Sequence, residues 1–389
     1  MAETQYILND QIWEQLLALT DGTAAICFQC GACTATCPWG LVREEILSVR
    51  GYMRQAQLGL HNGNENLWLC TTCGQCQVDC PRDVNIPEVF RGLRYLSWEQ
   101  NQPHGGLSTL LWSVYWNNNP WEQPPSQRNN WAKNLELPDF DAQHHEILYY
   151  VGCTASYETR AQKVAQALVK ILRFAEVAFG TLGELEPCSG EEVLSLGHKP
   201  YFQEIAQKAA TTFKERGVTR LVTTDPHSYD AFKNHYPDSI QPVHYSQYLA
   251  ELIKDDRLHL KFNINDTPVK IAFHDPCYLA RHNAEIEAPR RVLAAIPGVE
   301  IVELMNTGVD TLCCGGGGGR MWIDTPPGER FSNIRISEAV ETGIDILVTA
   351  CPYCIACLED SVKGQRIGNL AVMDLAEVVA MALLQGGSS

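Results

Sequence analysis

The segment GVTRLVTTDPHS, residues 217–228, recurs without a gap as GIDILVTACPYC, residues 343–354. Each copy contains a short apolar run that is typical of a buried strand. Farther along, Leu249-Ala250-Glu251 matches Leu375-Ala376-Glu377 at the same spacing. Upstream, EILYYVGC, which ends at Cys153, corresponds to VKIAFHDPC, which ends at Cys277. Residues from about 146 to 385 therefore contain two copies of one unit.

Each copy alternates apolar strands with amphipathic helices. Two helices are predicted in the first copy from apolar residues at helical spacing, namely Val164, Leu168, Ile171 and Ala175 in one and Phe202, Ile205, Ala209 and Phe213 in the other. Such alternation predicts parallel sheets covered on both faces, with ligand loops at the carboxyl ends of the strands. The fold class is therefore α/β, with two tandem Rossmann-like repeats over residues 146–262 and 263–389.

Cysteines follow these strands in both copies, and the second copy has five of them in a regular pattern. Its pattern is C-x35-CC-x36-C-x2-C, formed by Cys277, Cys313, Cys314, Cys351 and Cys354. A disulfide between neighbouring cysteines would be strained, whereas two thiolates beside the flexible run Gly315–Gly319 can bind different irons of one cluster. The run lacks the features of a nucleotide-binding loop, so neither flavin nor NAD is expected in this chain.

The first copy keeps only Cys153 and Cys188 of that set. The other positions hold Ser189, Asp225 and Ser228. Hydroxyls are poor iron ligands, so no iron–sulfur cluster is expected there. A residual zinc site that also uses His227 is one alternative. Otherwise the two cysteines are buried relics or thiols beside a substrate pocket.

Eight further cysteines lie near the N-terminus in two runs of the form C-x2-C-x2-C-x3-C-P. In bacterial ferredoxins the first three cysteines of such a run bind one 4Fe–4S cube, and the fourth binds the other cube. The predicted ligands are Cys27, Cys30, Cys33 and Cys80 for cluster 1, and Cys70, Cys73, Cys76 and Cys37 for cluster 2. A pair of four-cysteine zinc sites is the alternative, although zinc does not require this spacing.

The residues around these runs suggest where domains begin and end. Val42, Ile46, Val49 and Met53 have helical spacing, which favours a helical ferredoxin-like domain over residues 1–98. Residues 99–145 are rich in Pro, Gly, Asn and Gln, so little regular structure is expected in this linker. Its tryptophans, Trp112, Trp116, Trp121 and Trp131, either pack on neighbouring domains or bind a partner.

Composition limits the class of protein. The chain has 389 residues, 45% of them hydrophobic, and a net charge of −16, which argues against a nucleic-acid or anionic-membrane surface. No apolar run approaches the roughly 20 residues of a membrane helix, and the N-terminal residues do not resemble a signal peptide. We therefore expect a cytoplasmic location, where 16 cysteines favour metal ligation over disulfides.

The five-cysteine spacing resembles the CCG domain of heterodisulfide reductases, whose five cysteines hold an opened, noncubane 4Fe–4S cluster. From Ile26 onward the layout resembles the fused catalytic subunit of membrane-linked heterodisulfide reductases. It is also similar to the iron–sulfur subunit of the sulfate-reducer membrane complex that works with dissimilatory sulfite reductase. The resemblance implies two cubane clusters and one noncubane cluster in this chain.

The resemblance also implies a function. Two cubes would pass single electrons to or from the noncubane cluster, where thiol/disulfide chemistry would occur, so the chain is expected to be an oxidoreductase subunit. The five cysteines of the second copy would be catalytic, with His274 as a proton donor. Alternatively, backbone hydrogen bonds satisfy His274. Arg281 and His282 either balance the anionic cluster or are ordinary surface charges.

Two other functions stay open. The first is a non-catalytic relay subunit of a flavin dehydrogenase or quinone oxidoreductase complex, and the second is a metal-sensing or scaffold protein. The expected partners are a flavoprotein or a membrane cytochrome b or quinone-reactive subunit, through which the chain would lie peripherally on the membrane. A small thiol/disulfide protein or thiol cofactor would be the substrate. The acidic charge predicts basic partner surfaces and salt-sensitive association.

Overall fold

A computed structural model of the chain describes residues 9–60, 63, 65–237, 240–261 and 268–383. These residues form two compact units. The first contains the chain up to Thr109 together with Glu192–Phe202 and Gly315–Phe331. The second contains Leu110–Glu191, Gln203–Cys314 and the residues from Ser332 onward. Each repeat thus contributes one segment to the first unit, which the sequence pattern does not predict. No helix in the described ranges is both long and apolar enough to cross a bilayer.

The N-terminal part of the first unit is helical. Its helices are α1 (Asp10–Leu19), α2 (Ala32–Ala35), α3 (Val49–Gln57), α4 (Gln75–Val78) and α5 (Ile86–Glu99). Helix α5 begins after Asn85, whose side chain accepts a hydrogen bond from Glu88 N. Helix α1 packs against α3 and α5, while α2 packs against α3 and α4. Short helices therefore surround the cysteine loops.

The helix expected across Val42, Ile46, Val49 and Met53 is shorter than predicted. Helix α3 begins at Val49 because Ser48 caps it by accepting a hydrogen bond from Gly51 N. Val49 and Met53 are buried, but Ile46 is 48% exposed. The prediction was therefore wrong for Val42 and Ile46, because the helix begins only after them, at the Ser48 cap.

The second unit contains two four-stranded parallel sheets. Their strands are β1 (Ile147–Tyr150), β2 (Phe179–Gly180), β3 (Arg220–Thr223), β4 (Gln241–His244), β5 (Val269–His274), β6 (Val299–Ile301), β7 (Ile346–Thr349) and β8 (Ala371–Asp374). The strand orders are β2-β1-β3-β4 and β6-β5-β7-β8. The central pairs place Leu148 beside Leu221 and Ile271 beside Ile346. The predicted α/β class with parallel sheets is confirmed.

Helices alternate with these strands along the chain. From the linker onward they are α6 (Ser108–Asn117), α7 (Gly152–Tyr157), α8 (Thr159–Phe174), α9 (Glu191–Ser195), α10 (Lys199–Glu215), α11 (Pro226–Asn234), α12 (Tyr245–Lys254), α13 (Cys277–Asn283), α14 (Glu287–Ala294), α15 (Phe331–Thr342), α16 (Pro352–Gly364) and α17 (Leu375–Met381). Helices α8 and α10 confirm the two helices predicted in the first repeat. Helix α8 packs against α17, and α12 packs against α14. The two repeats therefore share one apolar core.

One proposed match between the repeats was wrong. Leu249 lies inside α12, whereas Leu375 is the first residue of α17. The equivalent positions are the caps, His244 and Asp374, each of which begins a capping box. Helix α11 has 9 residues and α16 has 13, so the second repeat is displaced by one helical turn after this point.

The segment between the domains has more regular structure than its composition predicts. Helix α6 forms from an uncharged sequence, STLLWSVYWN, and buries Leu110 and Val114. Trp112 and Trp116 are 61% and 71% exposed on the same helix, whereas Trp131 is buried in the core of the second unit. The expectation of little regular structure was therefore wrong for α6, and the tryptophans have different environments.

Candidate iron–sulfur centres

The first unit has a cavity at the first cysteine run. It is lined by Cys27, Cys30 and Cys33 of that run and by Cys80 of the second run. The empty space among these residues, with the adjoining open solvent included, is about 370 Å³. These four sulfurs are those predicted for cluster 1. A 4Fe–4S cube takes four thiolates, so the donor set fits this group.

A second cavity has the reciprocal set. Cys70, Cys73 and Cys76 line it together with Cys37 of the first run, around about 400 Å³ of empty space. Burial, with the neighbouring sulfurs, raises the pKa of Cys76 well above that of an ordinary thiol. Such buried sulfurs become thiolates only when a cation balances them, which again fits an iron cluster.

Glycines shape both loops in the same way. Gly31 has φ +92° and Gly74 has φ +80°, and each precedes the short helix that carries the third cysteine of its run. A side chain in this left-handed region is strained, so glycine is the residue that permits the turn. In the second loop, Thr72 N also donates a hydrogen bond to Cys70 Sγ at 3.4 Å.

The glycine run of the second repeat lies against the second cysteine loop within the first unit. Gly318 has φ +61°, and a Cβ atom there would lie 2.4 Å from the Cys70 carbonyl oxygen. At the end of the same segment, the Phe331 ring contacts Trp39 with 4.6 Å between centroids. Glycine is thus required where this segment meets the cluster 2 loop.

The five predicted cysteines of the second repeat are all buried. Cys277 follows β5 and Cys351 follows β7, and these neighbouring parallel strands end at the same edge of the sheet. The Cys354 thiol lies 3.3 Å from the Cys314 sulfur, and it hydrogen-bonds Cys351 as well. Burial raises the pKa of Cys351, but hydrogen bonds from Cys354 and His227 outweigh it, so the pKa falls to about 6. This sulfur-rich set fits an iron–sulfur cluster.

The side chain of His274 lies at this site without a hydrogen bond. It is fully buried, and neither ring nitrogen has a partner among the described residues. One ring nitrogen lies within 4.8 Å of the Cys314 and Cys354 sulfurs. Burial, with the charges of Arg335 and Arg281, holds the pKa of His274 well below its usual value. The alternative that backbone hydrogen bonds satisfy this side chain was therefore wrong.

Arg281 and His282 have local partners. Arg281 donates hydrogen bonds to the carbonyl oxygens of Val309, at 3.0 Å, and Thr311, at 2.6 Å. The His282 ring stacks on Tyr278 with 4.3 Å between centroids. Arg281 thus holds the loop that leads into Cys313, a role that neither predicted alternative described.

The first repeat also contributes a residue to the five-cysteine site, which the sequence did not indicate. His227 hydrogen-bonds the Cys351 sulfur, and its Nδ1 lies 3.2 Å from Glu191 Oε2. Its ring stacks on Tyr278 with 3.9 Å between centroids. The available signal was the alignment of the repeats, which pairs His227 with Tyr353, the residue before Cys354.

The replaced ligand positions of the first repeat bond to one another. Ser228 Oγ donates to Asp225 Oδ2 at 2.6 Å and lies 3.1 Å from Ser189 Oγ. Asp225 also caps α11 by accepting hydrogen bonds from His227 N and Ser228 N. These oxygens therefore already have hydrogen-bond partners within the first repeat. Cys153 and Cys188 are hydrogen-bonded to each other, and Arg128 lies against the Cys153 sulfur.

Comparisons with known families match both parts of the chain. The "4Fe-4S dicluster domain" family matches residues 23–84, which hold the two cysteine runs. The "Cysteine-rich domain" family, CCG, matches residues 147–232 and 271–359. The first of these CCG matches includes Cys153, Cys188 and the replaced positions. The second includes all five cysteines of the complete set.

Curated relatives share this combination of domains. The chain is 34% identical to "Probable iron-sulfur-binding oxidoreductase FadF" of Bacillus subtilis, over 82% of this chain and 47% of that protein. It is 31% identical to "EtfAB:quinone oxidoreductase" of Syntrophomonas wolfei, again over 82% and 47%. The chain thus spans about half the length of these two relatives.

A third relative is matched along nearly its whole length. It is a subunit of the dihydromethanophenazine:CoB–CoM heterodisulfide reductase of Methanosarcina mazei, 30% identical over 92% of this chain and 93% of that protein. With a ferredoxin module and two CCG domains, the chain belongs to the family of heterodisulfide reductase iron–sulfur subunits and related iron–sulfur oxidoreductases.

Proposed function

We propose that this electron-transfer subunit passes single electrons through two 4Fe–4S cubes to or from a noncubane cluster that carries out thiol/disulfide redox chemistry. The observation that carries the proposal is the reciprocal pair of cavities, each lined by three cysteines of one run and one of the other. Two such clusters in one helical domain suit a one-electron relay. The five buried cysteines of the second repeat would hold the third cluster.

The clusters would supply one-electron redox steps and, at the noncubane site, iron that can bind a substrate sulfur. The residues of the chain would position them. Gly315 directly follows Cys314 in the sequence, and Gly318 lies against the Cys70 carbonyl oxygen. Gly318 would thus position the loop that holds cluster 2.

His274 supports a chemical role for the third centre. A fully buried imidazole without a hydrogen bond is costly unless it serves a ligand or substrate. Its ring lies near the Cys314 and Cys354 sulfurs, so it could orient or protonate a substrate sulfur there. We therefore propose Cys277, Cys313, Cys314, Cys351, Cys354 and His274 as the catalytic residues.

The presence of one noncubane cluster, and not two, would narrow the class of substrate. Ser189, Asp225 and Ser228 hydrogen-bond to one another, which supports an absence of iron in the first repeat. A site with one such cluster favours a small protein bearing a disulfide or persulfide, or a thiol cofactor, as the substrate. The partner would be a flavoprotein or a membrane quinone-reactive subunit, which would hold the chain at the cytoplasmic face of the membrane.

A non-catalytic relay is the second candidate function. It is favoured by the 31% identity to a relative named as an EtfAB:quinone oxidoreductase. In that case the partners would supply the flavin and quinone chemistry, and the five-cysteine centre would carry electrons without binding a thiol.

EPR spectroscopy of anaerobically purified full-length protein separates the two functions. After treatment with a one-electron oxidant in the presence of each of a panel of thiols, a new paramagnetic signal that broadens with ³³S-labelled thiol supports catalysis, since it places substrate sulfur on the cluster. Electron transfer from reduced flavoprotein without any thiol-dependent signal supports the relay. Iron analysis should give about 12 Fe per chain, four for each of three clusters. About 16 Fe would contradict the absence of a cluster in the first repeat.

A further inference from the structure

The two cysteines that remain in the first repeat form a contact pair. Cys153 lies at the start of α7, directly after β1, and Cys188 lies after the short helical turn Gly183–Leu185. The Cys188 thiol donates a hydrogen bond to the Cys153 sulfur. The two residues are only 6% and 1% exposed. Two thiols thus lie within reach of each other in a protected site.

A fixed positive charge lies against this pair. The Nη1 and Nη2 atoms of Arg128 lie 3.5 and 3.7 Å from the Cys153 sulfur. Nη2 also lies 2.8 Å from Glu186 Oε1, and Arg128 is 2% exposed. Glu186 is held in turn by hydrogen bonds of 2.9 Å from Val151 N and Gly152 N. The guanidinium is therefore anchored beside the sulfur.

These contacts favour a thiolate at Cys153. The hydrogen bond from Cys188 and the charge of Arg128 outweigh burial and lower the pKa of Cys153 to about 7. Arginine stays charged at any physiological pH and stabilises an adjacent thiolate. A thiolate with a pKa near the ambient pH and a second thiol in contact with it are the requirements for dithiol exchange.

The same contacts argue against a metal ion. Arg128 already places one positive charge against the Cys153 sulfur, which would repel a zinc ion bound to that sulfur. Asp225 and Ser228 are hydrogen-bonded to each other at 2.6 Å, and the His227 ring is hydrogen-bonded to Glu191 and to the Cys351 sulfur. The site is therefore arranged for sulfur chemistry without metal.

We propose that Cys153 and Cys188 form a redox-active dithiol that exchanges two electrons with a small disulfide, independently of the iron–sulfur clusters. The Cys153 thiolate attacks one sulfur of the small disulfide, whose S–S bond breaks and whose other sulfur leaves as a thiolate. Cys188 loses its proton to that thiolate, attacks the Cys153 sulfur and releases the second sulfur as a thiolate, which takes a proton from solvent. Two protein thiols are thus oxidised to one disulfide, and the small disulfide is reduced to two thiols.

The test uses the full-length, cluster-loaded protein in anaerobic mixtures of reduced and oxidised dithiothreitol. Acid quenching, alkylation of free thiols and peptide mass spectrometry then measure the Cys153–Cys188 disulfide. Its fraction should follow a two-electron curve, in which a tenfold change in the disulfide-to-dithiol ratio takes about 30 mV. Cys357, which belongs to neither cysteine set, is the internal control and should remain alkylated.

Two variants separate the roles. In Cys188→Ser treated with oxidised glutathione in place of oxidised dithiothreitol, Cys153 should accumulate as a mixed disulfide with glutathione, because neither the protein nor the monothiol supplies a second thiol to release it. In Arg128→Met, the rate of exchange at pH 7 should fall about tenfold, since less of Cys153 is thiolate. Iron content should be unchanged in both variants, which keeps this test separate from that of the iron–sulfur function.

Three outcomes would overturn the proposal. One is the absence of the Cys153–Cys188 disulfide in folded protein at every dithiothreitol ratio. Another is an exchange rate that is the same in wild type and Arg128→Met. The third is stoichiometric zinc that disappears in Cys153→Ser, which would make the pair a metal site.

Discussion

The Arg94 guanidinium donates a 2.6 Å hydrogen bond from Nη2 to the carbonyl oxygen of Cys70, the first cysteine of the second run. Arg94 is fully buried. Its Nη1 donates to Ser195 O at 2.7 Å and to Gly318 O at 3.2 Å. One side chain of α5 therefore fixes the cluster 2 loop to a segment from each repeat, all within the first unit.

Arg94→Lys should lower the stability of the protein. It should also reduce the occupancy of cluster 2 more than that of cluster 1. An ammonium group is a point charge that cannot replace the planar fork of donors, so at least one carbonyl oxygen would lose its partner. A lost bond to a charged group costs about 1.5 to 3 kcal/mol. Thermal unfolding and the EPR intensity of each cube measure the two effects. Arg54→Lys, at an exposed position of α3, is the matched control. Equal loss of both cubes would contradict a local role for Arg94.

Gly318→Ala should disrupt the contact with the cluster 2 loop. The new Cβ would lie 2.4 Å from the Cys70 carbonyl oxygen, and the left-handed φ of +61° adds strain. We expect a selective loss of cluster 2, measured by the EPR intensity of each cube in anaerobically purified protein. Gly328→Ala is the control in the same segment, because a Cβ there meets nothing within 4 Å. Equal cluster 2 signals in the two variants would show that this contact does not support the loop.

Cys314→Ser should remove the third cluster and leave both cubes. The Cys314 sulfur lies 3.3 Å from Cys354, inside the buried set, and a hydroxyl is a poor replacement for a thiolate. Iron should fall from about 12 to about 8 per chain. Cys357→Ser on α16 is the control and should retain all three clusters. A normal thiol-dependent signal in Cys314→Ser would contradict the assignment of this ligand.

Local spacing was enough to predict the cysteine sets and the parallel sheets. The predicted ligands Cys27, Cys30 and Cys33 are close in sequence, and each strand carries its own apolar pattern. Arg94 could not be predicted, because its partners Ser195 and Gly318 lie 101 and 224 residues away. The roles of such residues follow from tertiary contacts that no period or motif encodes.

The first repeat shows a second limit of the sequence. That Ser189, Asp225 and Ser228 are poor iron ligands could be argued from their chemistry alone. The pairing of Cys153 with Arg128 could not, because that arginine lies in a segment whose composition indicated only a linker. His227 was considered solely as a zinc ligand of its own repeat, whereas its ring hydrogen-bonds Cys351 of the other repeat.

His274→Leu should separate a chemical role from a structural one. Removing a buried imidazole without hydrogen bonds should stabilise the fold by about 1 to 3 kcal/mol, which chemical unfolding measures. The third cluster should remain, since five cysteines are still present. The thiol-dependent EPR signal should disappear or change shape if His274 contacts the bound sulfur. An unchanged signal in a more stable variant would remove His274 from the catalytic set.

His244 should make folding stability depend on pH. Burial lowers its pKa to about 3 in the folded protein, whereas an unfolded histidine titrates near 6.5. Below pH 6.5 the unfolded chain therefore binds a proton that the folded chain does not. As the pH falls below 6.5, the free energy of unfolding should decrease by about 1.4 kcal/mol per pH unit, or by about 2 kcal/mol between pH 6.5 and 5.

His244→Asn is the matched variant for this effect, because asparagine can still cap α12 but does not titrate in this range. The free energy of unfolding, measured anaerobically by denaturant titration, should rise by about 2 kcal/mol more in wild type than in the variant as the pH rises from 5 to 6.5. Comparing the two proteins cancels the acid lability of the clusters, which both share. Parallel curves over this range would show that His244 is protonated equally in the folded and unfolded states, and that burial does not control its charge.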